Sequence, residues 1–144
     1  MKKSKKVYIG MTADMLHHGH INLLEEARKY GDIIIGLSTD AAITEYKRLP
    51  YLNYKQREKI LRNFKGVTKV VPQKEWDESH NIKKIRPDFV VHGDDWKNGP
   101  DKTTRKNVIK ALNKYGGKLI EIPYTKGVSS GTHVESQRIM CTTP

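Results

Sequence analysis

The stretch "KVYIGMTADMLHHGHINLLEEARKYGDIIIGLSTD", residues 6 to 40, decides how the chain folds. "KVYIGM" is a short apolar run with β-branched content and a turn after it, the mark of a strand. "INLLEEARKYG" sets Ile21, Leu23, Leu24 and Ala27 at helical spacing and stops at Gly31. "DIIIGLSTD" carries a continuous isoleucine run, which suits a strand covered on both faces. Strand, loop, helix and buried strand in that order begin a parallel α/β sheet.

The alternation continues outward. "NYKQREKILRNF" repeats Ile60, Leu61 and Phe64 on a helical period behind Asn53 as N-cap, and "VTKVVPQ" gives a short strand closed by Pro72. "PDFVVHGDDW" reads as a strand that stops at Gly93, "TTRKNVIKALNKYGG" as a helix with a double-glycine stop, and "KLIEIPY" as a final strand. "SSGTHVESQR" opens a last helix with Ser129 as its cap, and Lys97 to Thr104 reads as a polar surface loop. The expectation is one Rossmann-like α/β domain over residues 1–144, with helices on both faces of a parallel sheet, a basic leader at 1–5 and a tail at 135–144. Ligands of such sheets sit at the carboxyl ends of the strands. That rule gathers the His17–His20 loop, the loop after Thr39, the turn "HGDDW" and the turn "YTKGVSSGT" into one crevice.

Composition narrows the partners. Lys and Arg number 27 against 16 Asp and Glu, a net charge of +11 that attracts anions. A nucleic-acid module would interleave its basic residues with aromatics, but the chain is only 8% aromatic and its cations are dispersed. No apolar run approaches the roughly 20 residues needed to span a bilayer. "VYIG" follows "MKKSKK" where a secretory peptide would have its apolar region, and Cys141 has no second cysteine to pair with, so a cytoplasmic location is expected.

Three histidines stand within four positions in "HHGH". Zinc would need more ligands: there is no HExxH spacing, no Cys pair, and Asp14 is the one carboxylate near by. His17 and His20 lie three apart and share a face if the helix begins near residue 18, with His18 pointing elsewhere. Gly19 between them lets a bulky ligand approach the backbone, and amides at the helix start favour an anion. The arrangement suits a polyphosphate.

"HHGH" after "TADML", with "YTKGVSSGT" near the end, resembles the paired HxGH and RTxGISTS-like signatures of the nucleotidylyltransferase superfamily. More narrowly, the chain is similar to cytidylyltransferases that act on glycerol 3-phosphate, phosphocholine or phosphoethanolamine. "STD" at 38–40, "YKQR" at 54–57 and "HGDDW" at 92–96 fall where that family has similar segments, so the resemblance spans residues 6 to 134. "GMTADMLHHGH", "YKRLPYLNYKQR" and "HGDDWKNGPDKTTR" look closest to cytidylyltransferase domains of phosphonate biosynthesis, with an acceptor such as 2-hydroxyethylphosphonate.

The resemblance implies transfer of CMP from CTP with release of pyrophosphate, Mg²⁺ accompanying the nucleotide, and a homodimer. It implies catalytic roles for His17, His20 and Lys47, as positively charged donors to the triphosphate, with Arg48 a substitute for Lys47. Thr12, Ala13, Asp14, Gly19, Gly93, Asp94, Tyr124, Gly127, Ser129 and Ser130 would line the nucleotide, Asp14 by orienting its loop, and Asp95 would join Asp94 near the nucleoside. Lys47, Arg57 and Trp96 would meet the acceptor, Arg57 as a two-bond phosphate clamp.

The sequence departs from the family pattern at Met11 (usually glycine), Ala13 (usually aromatic), Tyr124 (usually arginine) and Lys126 (usually acidic), and it is longer over Lys97 to Gly117. Two rivals stay open at this level: an adenylyltransferase of the same superfamily, and a non-enzymatic anion or RNA binder.

Overall fold

The computed structural model describes residues 4–46, 48–99 and 101–123. Five strands, β1 (Lys6–Met11), β2 (Asp32–Ser38), β3 (Val67–Gln73), β4 (Phe89–Gly93) and β5 (Lys118–Ile122), form one sheet in the order β3-β2-β1-β4-β5. Every pairing is parallel. Between them run α1 (His18–Arg28), α2 (Asp40–Thr44), α3 (Tyr54–Arg62), α4 (Ser79–Ile85), α5 (Lys102–Asn113) and a 3₁₀ turn at Asp94–Trp96.

The alternation of strand side chains sorts the helices. Val7, Ile9, Met11, Ile33, Ile35 and Leu37 face one way, against Leu24 and Ala27 of α1 and Leu61 of α3. Tyr8, Ile34 and Val90 face the other way, against Ile82 of α4 and Val108, Ala111 and Leu112 of α5. The expected doubly wound parallel sheet is therefore present, with apolar layers on both faces.

The differences from the sequence reading are local. Helix α1 starts at His18, three residues before the first periodic apolar side chain, because His17 caps it. Helices α2 and α4, of 5 and 7 residues, are too short to repeat an apolar period and went unread. Strand β3 runs on through Pro72 to Gln73, which its place at the sheet edge permits. The polar stretch from Lys97 gives way to α5 at Lys102, and α5 ends at Asn113 with its last turn closed by Gly116 N–H on Leu112 O.

Two features of the sheet set up the site. Strands β1 and β4 pair only at Val7–Phe89 and Tyr8–Val90, while β1–β2 pairing runs to Met11–Leu37 and β4–β5 pairing to Gly93–Ile122. The sheet thus splits between β1 and β4 at its carboxyl end, where the strand order reverses, the position of the ligand crevice in doubly wound folds. Next to the split, Gly10 and Gly36 are register partners on the α4/α5 face, and each leaves room for a polar group. The Glu78 carboxyl lies over Gly10, and the Tyr8 hydroxyl lies over Gly36, where it donates to Gln73 Oε1 and accepts from Asn81 Nδ2 at 3.1 Å.

Gly36→Ala would drive a methyl into the Tyr8 ring and hydroxyl and to 2.9 Å from Gln73 Oε1, with backbone and ring fixed by the packed layers. It should lower the unfolding free energy by about 1–3 kcal/mol, the usual cost of overpacking. Urea unfolding followed by circular dichroism measures this; an unchanged midpoint would contradict the packing described.

Candidate active site

The loop after β1 is held by its own side chains. His17 is the N-cap of α1; its Nδ1 accepts the Gly19 amide at 3.1 Å, and His20 Nδ1 reaches back to accept the His17 amide at 3.2 Å. This is a capping box in which two imidazoles do the work usually done by Ser or Thr and Glu. An Nδ1 that accepts a backbone N–H cannot carry a proton, so each ring is the neutral tautomer with its hydrogen on Nε2. The rings lie 4.1 Å apart between centroids, tilted by 49°. Burial, reinforced by His17 beside it, pushes the His20 pKa down to about 4. The sequence reading of a charged donor is corrected here: His20 is a neutral N–H donor at pH 7, set on the first turn of an 11-residue helix.

Arg57 is also corrected. Instead of an open phosphate clamp it is a buried splint, 1% exposed. Its Nε donates to Leu52 O at 3.0 Å, Nη1 to Thr12 O and Ser38 O at 2.8 Å each, and Nη2 to Asp40 Oδ1 at 2.6 Å. Four of its five N–H groups thus join the ends of β1 and β2 to the starts of α2 and α3. Asp14 adds a second tie, accepting the Tyr51 amide at 2.8 Å and pairing with Arg48 Nη2 at 2.6 Å. Between these anchors Ala13 is buried with φ 53°, a left-handed backbone that costs a non-glycine residue about 1–2 kcal/mol. Thr12 and Asp14, tied on either side of it, hold that conformation.

At the end of β4, Trp96 is corrected from an acceptor contact to a buried backing residue. It is 2% exposed and donates from Nε1 to Glu121 Oε2 at 2.9 Å, and its ring stacks on His92 at 3.5 Å with 3° between planes. Arg105 completes that carboxylate's partners at 3.1 and 2.8 Å, which holds Glu121 below its ordinary pKa. Gly93 caps the 3₁₀ turn that carries Asp94 and Asp95. The sequence reading did not single out His92 or Glu78. Glu78 caps α4 without a side-chain bond to it, is buried, and lies with Oε1 at 3.8 Å from His92 Nε2.

The structure therefore places His17, His20, Gly19, Thr12, Ala13 and Asp14 on one loop, tied through Arg57 and Asp14 to the segments flanking residue 47, with Gly93 and Asp94 at the end of β4. Lys47, Tyr124, Lys126, Gly127, Ser129, Ser130 and Cys141 lie outside the described residues. Among the described residues no three His, Cys, Asp or Glu side chains gather as a metal site. These residues do not make a cage for Mg²⁺, an ion that commonly keeps waters and rides on nucleotide phosphates. Also among the described residues, no helix is long and apolar enough to cross a membrane.

A doubly wound parallel sheet, split at its strand-order reversal beside a histidine-capped helix start, defines an α/β domain with the crevice in which such folds hold their ligands. The cytidylyltransferase-like family model matches residues 8–134, and the chain belongs to that family. A glycerol-3-phosphate cytidylyltransferase of Bacillus spizizenii is 36% identical over 128 residues, covering 88% of this chain and 92% of the relative. An ethanolamine-phosphate cytidylyltransferase of Dictyostelium discoideum is 34% identical over 98% of this chain, but over only 38% of its own length. Among solved structures, a lipopolysaccharide core biosynthesis protein from Thermoplasma volcanium superposes with a TM-score of 0.70 at 21% identity, over 86% of this chain and all of that one, and so shares the fold.

His20 predicts a pH dependence of stability. Its folded pKa of about 4 lies below the ordinary 6.5, so the stability gained by keeping it neutral is complete above pH 6.5 and is lost as pH falls toward 4. Denaturant unfolding at several values from pH 7.5 to 4 should show a steeper loss for the unsubstituted chain than for His20→Gln. Equal slopes would contradict the buried, neutral ring.

Proposed function

We propose that the protein transfers CMP from CTP to a small phosphonate, such as 2-hydroxyethylphosphonate, or to a phosphomonoester such as glycerol 3-phosphate, phosphoethanolamine or phosphocholine. The observation that carries this reading is the pair of imidazoles whose Nδ1 atoms are committed to the backbone, so that both protons sit on Nε2 at a helix start. In a chain 36% identical to a glycerol-3-phosphate cytidylyltransferase, those donors support nucleotide chemistry above mere anion binding.

The acceptor needs no base. A phosphomonoester has a second pKa of about 6 and already offers an anionic oxygen near pH 7; a phosphonate has the same dianionic head. That oxygen attacks the α-phosphorus in line, a new P–O bond forms, and the bridge to the β-phosphate breaks, its electron pair leaving with pyrophosphate. Catalysis then consists of placement and of donors fixed where charge builds up. His17 and His20 are those donors. Lys47 supplies compact positive charge to both anions. Ser129 and Ser130, with Tyr124 and Gly127 of the same stretch of sequence, take the β- and γ-phosphates, and Gly93 and Asp94 the nucleoside. Magnesium enters on the triphosphate as part of the substrate. The chain works as a homodimer in the same proposal, which sedimentation equilibrium would show as twice the chain mass.

Pyrophosphate release with each of the four nucleoside triphosphates, against the four acceptors above, tests the reading. CTP should support turnover with at least one acceptor, and His17→Ala or His20→Ala should lower kcat by about 10²-fold or more. Turnover with ATP alone would make the protein an adenylyltransferase, and a loss below about threefold in both variants would remove the histidines from the chemistry.

A further inference from the structure

The Glu78 carboxyl, next to the split in the sheet, has no part in the reaction as described. Its side chain is 7% exposed, and among the described residues its Oε2 has no hydrogen-bond partner. Burying such a group costs several kcal/mol unless something compensates. Burial pushes its pKa up, and the nearby His92 ring works against that rise. His92 sits too far for a hydrogen bond at 3.8 Å, and its own Nδ1 is 2.8 Å from Gly93 O.

This carboxyl is held in place with care. It rests on Gly10, where any Cβ would collide with Oε1, and it stands next to the split between β1 and β4. His92, whose Nε2 lies 3.8 Å from it, is stacked on Trp96 and keeps a quarter of its side chain open. Glu78 comes to the split from the β3 side, over β1, on the α4/α5 face of the sheet. The histidine-capped helix packs on the opposite face. An in-line displacement puts the incoming oxygen opposite the leaving pyrophosphate. With the triphosphate tail on the histidine side, the acceptor enters from the flank that Glu78 occupies.

We infer that Glu78, reached past His92, is a specificity-determining residue whose carboxyl accepts a hydrogen bond from a hydroxyl or ammonium group on the acceptor's tail. The inference rests on the transfer reading above and goes further by assigning the recognition of the tail. A site with a buried acceptor atom favours a substrate that supplies the donor and rejects the isostere that lacks it, because the group is then left unpaired. His92, stacked on Trp96, stands 3.8 Å from the carboxyl at the end of β4.

The test compares 2-hydroxyethylphosphonate with ethylphosphonate, and both glycerol 3-phosphate and phosphoethanolamine with propyl phosphate, each with CTP and the full chain. The unsubstituted protein should prefer the hydroxylated or aminated member of at least one pair by about 10²-fold or more in kcat/KM. Glu78→Leu should bring that ratio within about tenfold through the acceptor's KM, leaving the KM for CTP within about twofold. Glu78→Gln, which keeps the shape and one acceptor oxygen, should fold as the parent does and lose part of the preference, since a neutral bond replaces a charge-assisted one. An unchanged ratio in Glu78→Gln and Glu78→Leu, no preference in the parent, or a shift confined to the KM for CTP would each overturn the assignment while leaving CMP transfer standing. Failure of the parent to release pyrophosphate from CTP with any of these acceptors, phosphoethanolamine and phosphocholine included, would overturn the transfer reading itself.

Discussion

The site depends first on the buried guanidinium of Arg57. Three main-chain carbonyls and one carboxylate converge on it from Thr12, Ser38, Leu52 and Asp40, which lie up to 45 residues from it in sequence. Removing the side chain would take a bond from each of those carbonyls, the buried Ser38 O among them, and release the loop after β1 from the segments that flank it. Breaking a buried charged pair on one side commonly costs about 3–5 kcal/mol, although the 41% exposure of the Asp40 side chain moderates that figure here. In the proposed reaction the residue acts at second hand, by fixing where Thr12, the strained Ala13 and the following histidines lie.

From that anchor the electrostatics of the crevice follow. The histidines are neutral because their Nδ1 atoms are bound to the backbone, so they offer directed N–H groups and no charge. In the proposed reaction the positive charge that draws in two anions comes from lysine and arginine, 27 of them in a chain of net charge +11. Direction and attraction would then be divided between residue types: imidazoles locked by short local bonds would do the aiming, and dispersed cations the steering. On the other face of the sheet, paired glycines admit polar groups to a layer that is otherwise apolar, which is how a carboxyl comes to lie beside the split.

Much of this was legible in the sequence, and the limit has a physical form. Contiguous signals were readable: the isoleucine run of β2, the helical period of α1 and α3, the cap at Asn53, and the spacing of His17 and His20. Signals that depend on meeting a distant segment were not. "YKQR" shows an arginine on a helix but not that its tip reaches carbonyls at the ends of β1 and β2. "HGDDW" shows an aromatic after an acidic turn but not that it turns inward to Glu121. "KEWDESHNIKK" has no period to mark α4, and Glu78 looks like a surface charge until Gly10 is seen beneath it. One signal could have been used: two glycines at matching positions of adjacent parallel strands, Gly10 and Gly36, leave a gap on one face that something must fill.

The central claim is that the backbone fixes both motif imidazoles as Nε2–H donors for a nucleotide's phosphates. Long-range ¹H–¹⁵N correlation spectra of the histidine rings, recorded at pH 7 with and without CTP, address it most directly. The account predicts a protonated Nε2 and a bare Nδ1 for His17 and His20, with the Nε2 resonances of both moving when CTP binds. Protonation on Nδ1, or CTP binding that leaves both Nε2 signals in place, would contradict it.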